Sequence, residues 1–152
     1  MQTEEMNSAS APPRAEAAGY ALTEKWGAEV VALGYTAVPD VLLANMDKFR
    51  LKPMEFAVLV QLLRYWWRAD QMPFPSKRSL AAAIGCSEKT VQMAIVGLER
   101  GGGLRRVERR RAADRSESNL YDLRPLVEAL RHEAVLEAER RARGLAGEAR
   151  GG

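Results

Sequence analysis

Six arginines fall within residues 104–115: Arg105, Arg106, Arg109, Arg110, Arg111 and Arg115. Only Glu108 and Asp114 answer them there. A guanidinium stays charged at any ordinary pH, and its planar fork of N–H donors matches the oxygens of a phosphate. Residues 104–109 read as a strand, residues 110–117 as a polar loop, and residues 118–123 as a second strand. In that second strand Tyr121 and Leu123 alternate with polar neighbours, so one face is expected to be buried. Such a hairpin lays guanidinium groups along a nucleic-acid backbone or into a minor groove, independent of sequence. Arg109, Arg110, Arg111 and Arg115 lie nearest its tip, whereas Arg105 and Arg106 serve equally well as plain strand-surface charges.

A second group of residues, of a different kind, precedes the arginines. Ser87 is placed to cap a helix over about Ser87–Leu98, whose outer face carries Glu88, Lys89, Gln92 and Met93, with Thr90 near its first turn. Gln92 has the donor–acceptor pair that fits adenine, Lys89 reaches guanine or a phosphate, and Glu88 can accept from a cytosine amino group. Met93 can touch a thymine methyl. Lys77 and Arg78, just upstream, add further candidates for phosphate contact. Covalent and metal chemistry has little to work with. Cys86 and His132 are the single cysteine and the single histidine, so no disulfide, cysteine-rich zinc site or nucleophile–base pair is expected, and neither are a cofactor or an enzymatic activity.

The elements that must hold these residues follow from pattern. Over residues 77–96 the spacing predicts two short helices joined by a tight turn, the second crossing the first. Ala81 supplies a small residue at the crossing, and Gly85 supplies a left-handed turn position. Leu80 and Ile84 face inward from the first helix; Val91, Ala94, Ile95 and Leu98 do so from the second. Ser76 caps the first helix after the loop Met72-Pro73-Phe74-Pro75. Upstream, Pro53 opens a helix with Phe56, Leu59, Val60, Leu63 and Trp67 on one stripe. Val58, Leu62 and Trp66 widen that stripe beyond what a surface helix needs. Either this helix is central and touched on two sides, or the Val58/Leu62/Trp66 side is a protein-contact surface.

Residues 1–19 are rich in Ser, Ala, Pro and Glu and read as a disordered tail. Trp26, Val30 and Leu33 then mark a short amphipathic helix stopped at Gly34, and Asp40 is placed to cap another running to about Met46. The domain is expected to span 20–124, followed by a helix over about 125–145 that packs back or pairs with a second copy, and a tail at 146–152. Residues 1–34 carry 2 basic and 5 acidic side chains, and residues 35–124 carry 16 and 10. The positive excess is therefore local to the middle of the chain, as phosphate contact requires. No apolar run approaches the ~18 residues of a membrane span and no secretory signal is visible. A cytoplasmic protein with no membrane partner is expected.

The run Phe74-Pro75-Ser76-Lys77-Arg78-Ser79-Leu80-Ala81-Ala82-Ala83-Ile84-Gly85, then Lys89-Thr90-Val91-Gln92 and Asn119-x-Tyr121, resembles the bacterial helix-turn-helix domain proteins. These are related to winged-helix replication initiators and replisome organisers of plasmids and phages. Lys25-Trp26-Gly27, Gly34-Tyr35-Thr36, Val38-Pro39 and Tyr65-Trp66-Trp67 match a narrower group among them. The resemblance covers residues 24–130. It implies a mainly α winged helix-turn-helix with a small β-hairpin, and double-stranded DNA as the partner. The group often carries arginines where Lys89 and Met93 stand. The leading expectation is a sequence-specific transcriptional regulator acting as a homodimer. A replication-initiation or replisome-organising protein with its own protein partner is the alternative, and a winged helix used only for protein contact is a third.

Overall fold

In a computed structural model of the chain, the described residues are 14–108 and 119–150, with side chains described for 19–108 and 119–145. Arg109, Arg110, Arg111 and Arg115, and so the tip of the expected hairpin, lie outside the described residues. The elements run α1 (Arg14–Trp26), α2 (Ala28–Ala32), α3 (Asp40–Leu43), α4 (Pro53–Tyr65), α5 (Lys77–Ile84), α6 (Glu88–Arg100), β1 (Arg105–Val107), β2 (Leu120–Asp122) and α7 (Arg124–Arg150). The fold is mainly α with a two-stranded antiparallel sheet. The chain divides into two compact units, one within residues 1–35 and one within residues 36–152.

The first unit holds α1 and α2. Ala15, Ala17 and Ala18 are strong helix formers, and α1 begins at Arg14, inside the stretch 1–19 that was read as a disordered tail. The single helix expected through Trp26, Val30 and Leu33 is broken at Gly27, whose φ of 88° lies in the region that favours glycine. The i, i+4, i+7 spacing therefore falls on two separate helices, and all three residues are exposed.

The second unit is organised around α4. Pro53 occupies the first turn of α4, where its missing N–H is no loss. Val58, Leu59 and Leu62 are buried with Leu42, Leu80, Val91, Ile95, Leu98, Leu104, Tyr121, Leu123, Leu126 and Leu130 in one hydrophobic core. Trp66 packs against that core. The Val58/Leu62/Trp66 side is thus interior, and the protein-contact reading of that face is overturned. Trp67 departs from the expected stripe as well. Helix α4 ends at Tyr65, so Trp67 leaves the helical register and is 86% exposed.

Two further expectations are corrected. Asp40 is the first residue of α3 rather than its cap; Pro39 holds the cap position, and the helix stops at Leu43. At the other end, α7 runs to Arg150, past residue 145 where the helix was expected to end.

Strands β1 and β2 pair Arg105 with Asp122, Arg106 with Tyr121 and Val107 with Leu120. On the free edge of β2 the Tyr121 N–H donates to the carbonyl of Pro73 at 2.9 Å. A proline can accept such a bond though it has none to give, which is how the two-proline loop docks beside the sheet. This bond ties the segment before α5 to the hairpin after α6.

Candidate nucleic-acid interface

The helix-turn-helix is built from local chemistry. Ser76 Oγ accepts from the Ser79 N–H at 3.0 Å and starts α5. Gly85 (φ 82°, ψ 39°) ends it in the left-handed conformation, with the Gly85 and Cys86 N–H groups both donating to the Ala81 carbonyl. That pair of bonds satisfies a carbonyl that α5 leaves open. Ser87 Oγ then accepts from the Thr90 N–H at 3.1 Å and starts α6. Ala81 is buried where α5 and α6 pack together, and α6 inserts Val91, Ala94, Ile95 and Leu98 into the core. Gly97 leaves room for a side chain of α4: a Cβ there would stand 2.8 Å from the Glu55 carboxylate, which is itself buried.

This packing fixes what α6 shows to solvent. Ser87, Glu88 and Lys89 are exposed, and Met93 is 66% exposed. Thr90 is half-buried and its hydroxyl lies 2.9 Å from that of Ser87, so it belongs to the cap as much as to the surface. Gln92 is half-buried, and its Oε1 has no hydrogen-bond partner among the described residues. Farther along, Met93, Val96 and Arg100 join Lys52 and Met54 of the α4 entry around an open groove of about 660 Å3. Lys77 is half-buried and Arg78 exposed at the start of α5.

The described part of the hairpin is held by charge. Arg106 donates to the Glu99 carboxylate at the end of α6, with Nε at 2.5 Å. The pairing lowers the Glu99 pKa, chiefly through that hydrogen bond, and raises that of Arg106. Asp122 is buried and gathers four donors: the Arg124 N–H, Nε and guanidinium Nη2 at 3.1, 2.9 and 2.7 Å, and Arg105 Nη2 at 3.1 Å. The Arg124 hydrogen bonds, with smaller help from Arg105, outweigh desolvation and hold the Asp122 carboxyl well below the usual carboxylate range. Both Arg105 and Arg106 are therefore engaged inside the molecule. Asp122 and Arg124 were not singled out from the sequence. An acid two residues before a helix-opening basic residue was the available signal, and it is a weak one.

The same holds for Glu133 on α7, a buried carboxylate bridged by Lys48 and Arg140, whose pairings lower its pKa. No short sequence pattern links residue 48 to residue 133. Among the described residues there is no cluster of three or more potential metal ligands, and no helix is long and apolar enough to cross a membrane.

Comparison with known proteins agrees with this geometry. Residues 50–102, covering α4, α5 and α6, match the helix-turn-helix domain family. No curated protein sequence matches the chain. Among solved structures, the N-terminal domain of the DnaD protein from Geobacillus kaustophilus HTA426 is similar with a TM-score of 0.54. It shares 24% identity, over 78% of this chain and 96% of that one, and the likeness is one of fold. The transcriptional regulator PA3341 aligns over 89% of this chain and 98% of its own, at 19% identity and a TM-score of 0.36.

Proposed function

We propose that this chain is a sequence-specific double-stranded DNA-binding protein that regulates transcription as a homodimer. One observation carries the reading. In a segment that matches the helix-turn-helix domain family, α6 is anchored by a buried apolar face, and its opposite face leaves Lys89 and Met93 in solvent. That is the arrangement by which a second helix enters a major groove.

In this reading Ser87, Glu88, Lys89, Thr90, Gln92 and Met93 form the reading helix, with Lys89 and Gln92 supplying the base contacts. An acceptor buried without a partner costs about 1–3 kcal/mol, and turning Gln92 outward to an adenine relieves that cost. Lys77 and Arg78 meet phosphates at the start of α5. Arg109, Arg110, Arg111 and Arg115 supply sequence-independent contact from the wing tip. Arg105 and Arg106 play a smaller part, because Asp122 and Glu99 already offset much of their charge. Pairing of two copies through α7, which carries the exposed Val135 and Leu145, matches a palindromic site.

Selection of duplexes from a random pool, followed by binding at two salt concentrations, tests this. A consensus with two-fold symmetry, and affinity falling steeply with salt, are expected. Lys89→Ala and Gln92→Ala change the preferred sequence, while Ala at Arg109, Arg110 and Arg111 together weakens all duplexes alike. Absence of duplex binding even at low salt would overturn the proposal. Genomic sites gathered in one repeat array, rather than spread over promoters, would move the reading to replication initiation.

A further inference from the structure

The Tyr65-Trp66-Trp67 run is not absorbed by the duplex interface, and only Trp66 of the three packs against the core. Beyond the end of α4, Trp67 stands 86% exposed, yet its ring is not loose: the indole Nε1 donates to the Arg64 carbonyl at 2.7 Å. Tyr65 is partly exposed beside it, with the Arg64 guanidinium lying over its ring, 5.5 Å from the centroid. Together with Met72, Phe74 and Pro75 these rings wall an open groove of about 280 Å3. An exposed tryptophan fixed in one orientation presents a flat π face whose ordering cost is already met in the free protein.

The segment that builds this face carries more basic than acidic side chains. Residues 64–78 carry Arg64, Arg68, Lys77 and Arg78 against a single acid, Asp70. Asp70 is taken up by Arg68 through two hydrogen bonds of 3.2 Å. Among the described residues, Arg64 has only Gln61 as a side-chain hydrogen-bond partner, at 3.5 Å. Aromatic faces beside an arginine that no acidic side chain among the described residues pairs with are what a single strand of nucleic acid needs. Bases without a pairing partner stack on the rings, and the backbone between them meets the guanidinium. A duplex keeps its bases inside and gains nothing from such a face. An apolar protein segment would fill the groove but leave the arginine without a counter-charge.

From this we infer that the Tyr65/Trp67 platform binds the unpaired bases of single-stranded DNA, at a site separate from the α6 surface. Base stacking on Trp67 supplies the contact, Tyr65 with its overlying Arg64 extends it, and the recognition is tolerant of sequence because every base has a π face.

The test uses the full chain and a fluorescently labelled twenty-nucleotide oligo(dT), which has no internal pairing, beside a mixed-sequence duplex of the same length. Fluorescence anisotropy is expected to show oligo(dT) binding that weakens about tenfold in Trp67→Ala and is largely kept in Trp67→Phe. Duplex binding is expected to change less than about twofold in both. Because Trp67 lies on the surface outside any helix, an unchanged melting temperature checks that the variants are folded. Wild-type affinity for oligo(dT) in Trp67→Ala would overturn the inference, as would a wild-type chain that ignores oligo(dT), or an equal loss on single strand and duplex. Capture of a proline-rich peptide that is lost in Trp67→Ala, with oligo(dT) binding unaffected, would reassign the platform to protein docking. A chain that binds oligo(dT) and no duplex would sink the regulator reading and leave this one standing.

Discussion

The α5–α6 pair and the hairpin that follows it are held by opposite kinds of interaction. The pair is a matter of apolar contact and local hydrogen bonds: Leu80, Ala81, Val91 and Ile95 in the core, two serine caps and one left-handed glycine. The hairpin stem is three residues on each strand, and it is secured by Arg106–Glu99 and by Arg105 and Arg124 on Asp122. The difference is one of length. Two helices of eight and thirteen residues bury enough apolar surface to fix their own geometry. A three-residue strand pair does not, and it borrows charges from the end of α6 and the start of α7. Arg105 and Arg106, which the sequence left open between strand-surface charge and phosphate contact, are thereby paired with acids of the chain itself.

Changes at the apolar end should have the largest effect and the least sensitivity to conditions. Ile95→Ala removes a fully buried side chain from between α4 and α6 and is expected to cost about 2–5 kcal/mol. In urea unfolding that loss should be the same at low and high salt. A strong salt dependence would mean the pair is not held as described.

Asp122→Ala comes next. It removes the acceptor for the Arg124 N–H at the start of α7 and strands two guanidinium groups, but these are exposed enough to be hydrated. The expected loss is about 1–2 kcal/mol. This loss should depend on pH, with a definite sign. The Asp122 pKa is lower in the folded chain than its unfolded value of about 3.9. Its contribution is therefore complete above the unfolded value and is lost as pH falls from about 5 toward the folded value. Wild type and Asp122→Ala should differ in urea midpoint at pH 7, and the gap should narrow steadily as pH is lowered from about 5 toward 2. Equal spacing across that range would remove the charge from the account.

Gly85→Ala forces an L residue into the left-handed region, with open space for the methyl itself, and should cost about 1 kcal/mol. The smallest effect belongs to Arg106–Glu99. A double-mutant cycle should give a coupling below about 1 kcal/mol that vanishes at high salt, as for other partly exposed pairs. A larger coupling that survives salt would make the stem as rigid as the helices it follows.

Much of this was legible in the residues. Ser76, Gly85 and Ser87 act within four positions of where they stand, so the boundaries of α5 and α6 can be read off the chain. The buried faces of α4 and α6 follow from helical spacing for the same reason. Legibility failed where a single local break changed the register: at Gly27, which splits the Trp26/Val30/Leu33 stripe, and after Tyr65, where the end of α4 turns Trp67 outward. Asp122 with Arg105 and Glu133 with Lys48 were hidden because pairs separated by 17 and 85 residues leave no local signature. The sequence by itself determined the helix-turn-helix, since caps, a turn glycine and apolar periodicity act over one or two turns of chain. Only the tertiary structure decided which cations are engaged, because desolvation and ion pairing depend on which side chains the fold brings within a few ångströms.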